Sequence, residues 1–350
     1  MRPEEIIDLR SDTVTLPTEE MLDAIRRAKL GDDVFGEDPT VNKLEKMAAE
    51  KMGKDAALLV TSGTQANLIS LMSNTQHGEL VILEAESHIY WYEVGGISTI
   101  GGLLPLLVKS RFGAPAPEDV EAAIRPRNIH FPRSSLICLE NTHNRHGGTI
   151  ITPDQIKAVS EVAQKHGLKL YLDGARIFNA AVALRADVKE FTKHVDNLMF
   201  CLSKGLCCPV GSLLVGTDEF IERSRKMRKV LGGGMRQAGI IAAPGIVALE
   251  NMIDRLEEDH RNARRLAEGI STIDRLQIDL SRVQTNMVCF DVSNLGINAD
   301  FFISKLKRKN VLALALTEKE VRMVTHKGIK NEHIEESISA IDKISSELRR

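Results

Sequence analysis

Four short stretches carry side chains that could act together on one small ligand, and each follows an apolar run. Lys204 lies in Cys201-Leu-Ser-Lys-Gly-Leu206, between Ser203 and Gly205, in the loop joining Asn197–Cys201 to Ser212–Val215. An amine that leaves a buried strand end with so little bulk around it is partly desolvated. That readies it to condense with an aldehyde. A single such lysine is more often one reaching for solvent, so its weight depends on its company.

Thr61-Ser-Gly-Thr-Gln-Ala-Asn67 follows Ala57–Val60 and opens a helical pattern. Backbone N–H groups at the positive end of a helix make a seat for phosphate. Gly63 allows close approach, and the Ser62 and Thr64 hydroxyls can donate. The same residues also suit a plain capped helix start. There is no P-loop, and the glycines of Gly95–Gly102 and Gly232–Gly234 lack the dinucleotide spacing.

Tyr171-Leu-Asp-Gly-Ala-Arg176 ends a third apolar run with Asp173 and then Arg176. Open α/β sheets bind ligands at the carboxyl ends of their strands. A carboxylate there can keep a pyridine nitrogen protonated, so that the ring accepts electrons. A helix-capping aspartate is the plainer reading. His88, in Glu86-Ser-His-Ile-Tyr-Trp-Tyr92, follows Leu80–Leu83 and can stack on a planar ring, although a lone histidine is more often simply packed. Together the four stretches offer a phosphate seat, a stacking ring, a carboxylate and an amine for an aldehyde. That set is complementary to pyridoxal 5′-phosphate, and it is far more specific than any member.

The elements that must hold these groups are legible as apolar runs. They are Ala57–Val60, Leu80–Leu83, Leu103–Val108, Leu136–Leu139, Lys169–Leu172, Asn197–Cys201 and Ser212–Val215. Several are apolar throughout, as strands buried on both faces should be. Helix-length segments such as Gln65–Ser73 and Asp154–His166 separate them, which predicts an α/β fold with a mostly parallel, seven-stranded sheet covered by helices. Residues 1–17 read as an extended arm, 18–244 as the large domain, and 245–350 as a smaller α+β domain. Strands are expected in the last at Gln277–Leu280, Met287–Val292 and Glu320–Val324.

With 46 basic and 48 acidic residues the net charge is −2, so neither nucleic acid nor an anionic membrane is the expected partner. No window approaches the ~18 apolar residues of a membrane span. The opening residues have no apolar signal core, which predicts a cytoplasmic protein. The five cysteines show no C-x-x-C pair and read as reduced thiols, with no metal site expected.

The chain also resembles the low-specificity L-threonine aldolases, in the β-eliminating-lyase group of aspartate-aminotransferase-fold enzymes. The resemblance rests on DLRSDTVT (Asp8–Thr15), GDDVFGEDPT (Gly31–Thr40), SGTQAN (Ser62–Asn67) and ENTHN (Glu140–Asn144). It continues in LDGARIFNA (Leu172–Ala180), CLSKGL (Cys201–Leu206), LGGGMRQAG (Leu231–Gly239) and VRMVTHK (Val321–Lys327). It implies pyridoxal-phosphate fold type I and cleavage of L-threonine or L-allo-threonine to glycine and acetaldehyde, with tolerance for other β-hydroxy amino acids. Another lyase or an aminotransferase of the same fold is the alternative. By resemblance, Lys204 carries the cofactor, His88 stacks on it and Asp173 pairs with its nitrogen. Ser62, Gly63 and Thr64 seat its phosphate, and Arg176 and a neighbouring subunit's Arg236 also contact it. Ser11, Arg176 and Arg322 take the substrate carboxylate, and His130 joins His88 as a candidate for proton transfer at the hydroxyl. Phe35 stands where the family usually has tyrosine, in a loop that reaches a neighbouring site. A cytoplasmic homotetramer in glycine biosynthesis is the implied setting.

Overall fold

The computed structural model describes residues 6–348. The seven apolar runs become strands of one sheet, and their limits differ from the predicted ones by at most two residues. After a two-residue strand β1 (Ile7–Asp8) come β2 (Ala56–Val60), β3 (Leu80–Glu84), β4 (Leu104–Val108) and β5 (Ser134–Glu140). They are followed by β6 (Lys169–Asp173), β7 (Asn197–Cys201) and β8 (Ser212–Gly216). The order across the seven-stranded sheet is β2-β8-β7-β6-β5-β3-β4. Only β8 runs against its neighbours. The loop that carries Lys204 is too short for a crossover helix, so the strand after it must return antiparallel.

Alternation along each strand builds the two faces of the core. In β2, Ala57 and Leu59 join one apolar cluster, while Leu58 and Val60 join another. Helices Pro39–Met52 and Pro153–His166 pack on the first face, and Gly63–Asn74 on the second. Caps fix where several helices begin. Thr18 accepts from the Met21 N–H. Asp38, followed by Pro39 at the first helical position, starts the second helix two residues before its apolar period does.

A third apolar cluster holds Leu266, Phe290, Phe302 and Ile341, together with Ile7 and Leu9 from the arm. Its sheet, in the order β11-β12-β9, is antiparallel and consists of β9 (Met287–Asp291), β11 (Leu314–Ala315) and β12 (Glu320–Val324). β10 (Val311–Leu312) pairs with β1, so the arm is stitched to this unit. Helix Leu256–Ser271 links the two units, with Leu256 in the large core and Ala263 in the small one. The expected strand Gln277–Leu280 does not form. Only Gln277 bridges to Asp291, and the Asp279 carboxylate accepts the Ser281 N–H and turns the chain into a short 3-10 helix. The first five and last two residues of the predicted arm and small domain lie outside the described residues.

Candidate active site

The carboxyl ends of β5, β6 and β7 bring Glu140, Asp173 and Cys201 to one rim of the sheet. Glu140 and Asp173 are direct neighbours in register. Burial pushes the Asp173 carboxyl above its ordinary value, and the Glu140 charge adds to this against the pull of His88 and Lys204. Asn67 Nδ2 donates to Asp173 Oδ2 at 2.8 Å and to Glu93 Oε1 at 2.7 Å. Tyr171, wholly buried, donates to Asn67 Oδ1 and fixes the orientation of the amide.

His88 starts a short helix whose first N–H donates to Glu140 Oε2 at 2.6 Å. Its Nδ1 lies 2.9 Å from Glu93 Oε1. Burial draws the imidazole down, but the Glu93 bond and the charges of Asp173 and Glu140 outweigh it and raise the pKa. Asn67 and Glu93 escape sequence reasoning: Asn67 ends a quoted motif, whereas nothing local marks Glu93.

Lys204 Nζ donates to Cys201 Sγ at 3.2 Å, and the Lys204 carbonyl accepts from Thr15 Oγ1 at 2.8 Å. The arm is thereby clamped onto the lysine loop. A cavity of about 320 Å³ lies here, lined by Ser11, His88, Tyr92, Arg176, Lys204 and Arg322 among others. Arg176 gives its Nε and one Nη2 proton to Asp12, so of its two forks only the terminal one remains for a ligand. Arg322 Nη1 donates to Asn144 Oδ1 at 3.0 Å, while its buried Nε has no partner among the described residues. Burial and the nearby Arg176 charge pull the Arg322 guanidinium below its ordinary value. An anion between the two arginines would relieve that.

At the predicted phosphate seat, the Ser62 hydroxyl is engaged as the helix cap, accepting the Gln65 N–H at 3.2 Å. The Gly63 and Thr64 N–H groups stand in the first turn, where no helical partner exists. Gly63 is small for a different reason from the one its motif suggests. A Cβ there would come 2.7 Å from Met199 Cε and 3.1 Å from Cys201 Sγ, so the missing side chain lets the helix press onto β7.

Three predicted residues are not brought to this cavity within the single chain. His130 is exposed in the loop before β5, at the opposite end of that strand from Glu140. A seven-residue strand spans about 20 Å, which sets the separation of the two ends. Arg236 pairs with Asp32 at 3.0 Å on the surface, and Phe35 beside it is 73% exposed.

A family model described as beta-eliminating lyase matches residues 8–294. The chain belongs to that family. The lyase is 45% identical to the Arabidopsis thaliana protein named probable low-specificity L-threonine aldolase 2, over 97% of both chains. It is 44% identical to the low specificity L-threonine aldolase of Escherichia coli K12, over 95% of this chain and 97% of that one. A solved structure of Leishmania major threonine aldolase shares its fold, with a TM-score of 0.84, 19% identity, and coverage of 97% and 99%. A Thermus thermophilus aspartate aminotransferase does so with a TM-score of 0.74, 16% identity, and coverage of 97% and 92%.

The lyase is a pyridoxal 5′-phosphate enzyme. Its residues fit that group. Buried Asp173 is a carboxyl in need of a cationic partner, Lys204 offers an amine on the same rim, and the first turn at Gly63 offers free N–H groups.

Proposed function

We propose that the lyase cleaves the Cα–Cβ bond of L-threonine and L-allo-threonine, releasing glycine and acetaldehyde, and tolerates other β-hydroxy-α-amino acids. The observation that carries this reading is that one cavity joins two arginines, a lysine and a histidine held by a buried glutamate. This provides a carboxylate anchor, an amine exchange point and a proton acceptor. The names of the 43–45% identical relatives support the choice of reaction.

When bound, the cofactor supplies an electron sink for the pair released as the Cα–Cβ bond breaks. Asp173 would pair with the ring nitrogen. Lys204 would hold the aldehyde carbon through its Nζ. Ser62, Gly63 and Thr64 seat the phosphate. Arg322, with the terminal fork of Arg176 and the Ser11 hydroxyl, takes the carboxylate and so orients the substrate in the cavity. His88 donates Nδ1–H to Glu93, which leaves the lone pair on Nε2 to accept the β-hydroxyl proton.

His130, Arg236 and the Phe35 loop belong in this reading to a neighbouring subunit's site, within a homotetramer. The exposed apolar side chains Leu30, Val34, Phe35 and Ile240 beside Arg236 support such contacts. The setting is cytoplasmic amino-acid metabolism that yields glycine. An aldehyde-coupled assay with the four threonine stereoisomers tests the reading. Acetaldehyde should come from both L-isomers and neither D-isomer, whereas pyruvate or another 2-oxo acid would point to a different lyase or an aminotransferase.

A further inference from the structure

Behind His88 lies a second polar cluster that the proposed reaction does not use. The buried carboxylate of Glu84, at the end of β3, sits between two imidazoles. Its Oε2 is 2.9 Å from His143 Nε2, and its Oε1 is 3.4 Å from His146 Nε2. The histidines are three residues apart in the loop after β5, with ring centroids 4.6 Å apart. Ser110 Oγ donates to Glu84 Oε1 at 2.8 Å and lies 3.4 Å from His146 Nε2. One ligand atom from each of Glu84, His143 and His146 falls within 4.8 Å of the others.

We propose that Glu84, His143 and His146 form a binding site for a divalent transition cation of the Zn²⁺ class. Two imidazoles and one carboxylate are the donors of zinc sites that keep a fourth position for water. Ligand bonds of about 2.0–2.2 Å around a tetrahedral ion set the ligand atoms roughly 3.3 Å apart. The two Glu84 oxygens lie 2.9 Å from His143 Nε2 and 3.4 Å from His146 Nε2, near that spacing, and a ligand atom from each of the three residues falls within 4.8 Å of the others, so the donors already converge on one point. His143 is fully buried, while the His146 side chain keeps 21% of its surface exposed and gives the ion a way in. Glu140 Oε2, 4.0 Å from His143 Nε2, adds a second negative charge nearby. The same oxygen accepts the His88 N–H, so the ion lies one carboxylate away from the catalytic cavity. The proposal does not depend on which amino acid is cleaved.

Cofactor-loaded enzyme, stripped with a chelator and titrated with ZnCl₂ and CoCl₂ by calorimetry, tests it. One equivalent per chain is expected. His146→Ala should weaken uptake by roughly 10–100-fold or more, since even outer-shell changes cost that much. Wild-type enzyme with Co²⁺ should show the strong visible absorption of a four-coordinate ion, a readout that needs no variant. Absence of stoichiometric uptake, equal uptake by folded His146→Ala protein, or only the weak absorption of hydrated Co²⁺ would overturn the proposal. The cluster would then be a hydrogen-bonded network around Glu84.

Discussion

Arg176 donates Nε and Nη2 to the two carboxylate oxygens of Asp12, each at 2.7 Å, with both side chains buried. The pair joins the N-terminal arm to the rim of the large sheet, and Asn286 of the small domain also donates to Asp12. Burial pushes the Asp12 carboxyl up, but the Arg176 charge and hydrogen bonds more than offset it and hold the group far below the usual carboxylate range.

Asp12→Ala therefore leaves a buried guanidinium without its partner, at a cost of about 3–5 kcal/mol. The sign with pH follows from the depressed folded value. The Asp12 contribution is complete above the unfolded value near 3.9 and fades as pH falls toward the lower folded one. Denaturant unfolding of wild type and Asp12→Ala should show a gap that is wide at neutral pH and narrows below about pH 4.

Glu93→Gln tests the partner of His88. The Glu93 bond helps to raise the imidazole pKa, so its loss should lower that pKa. A histidine that must be neutral to accept a proton loses activity as pH falls through its pKa. The acid limb of the pH–rate profile should thus move to lower pH in the variant. A limb that stays in place would assign it to another group.

Arg322→Lys removes the planar fork and keeps the charge. With charge-assisted hydrogen bonds worth about 1.5–3 kcal/mol, kcat/KM should fall roughly 10–100-fold, mainly through KM. Steady-state kinetics on L-threonine measures the split.

Gly63→Ala drives a methyl group toward Met199 and Cys201 on β7. Overpacking of this kind costs about 1–3 kcal/mol. The variant should melt earlier and hold its cofactor less tightly, as thermal scans and dialysis would report.

The large sheet was legible because most of its strands are buried on both faces and so are apolar throughout, and the placing of Asp173, His88 and Lys204 at one rim was legible because each ends or follows such a strand. Gln277–Leu280 misled because its alternation looks like a strand, while the decisive interaction is local, from the Asp279 carboxylate to a backbone N–H. Glu93 carries no local signal, and Asn67 stands in a quoted motif with nothing to mark its role, since the partners of both arrive from other elements only after folding. The H-x-x-H spacing of His143 and His146 was present in the sequence, but the carboxylate between them lies 59 residues before His143. His130 and Arg236 were placed by resemblance alone, and one chain does not bring them to its own cavity.

The most direct test of the central claim is the release of acetaldehyde and glycine from L-threonine by wild type and by Lys204→Ala, both supplied with pyridoxal 5′-phosphate. Wild type should yield the two products in equal amounts. The variant should yield neither and should lack the visible absorption of covalently held cofactor. Wild type that binds the cofactor without releasing aldehyde, or a variant that turns over at the wild-type rate, would contradict the account.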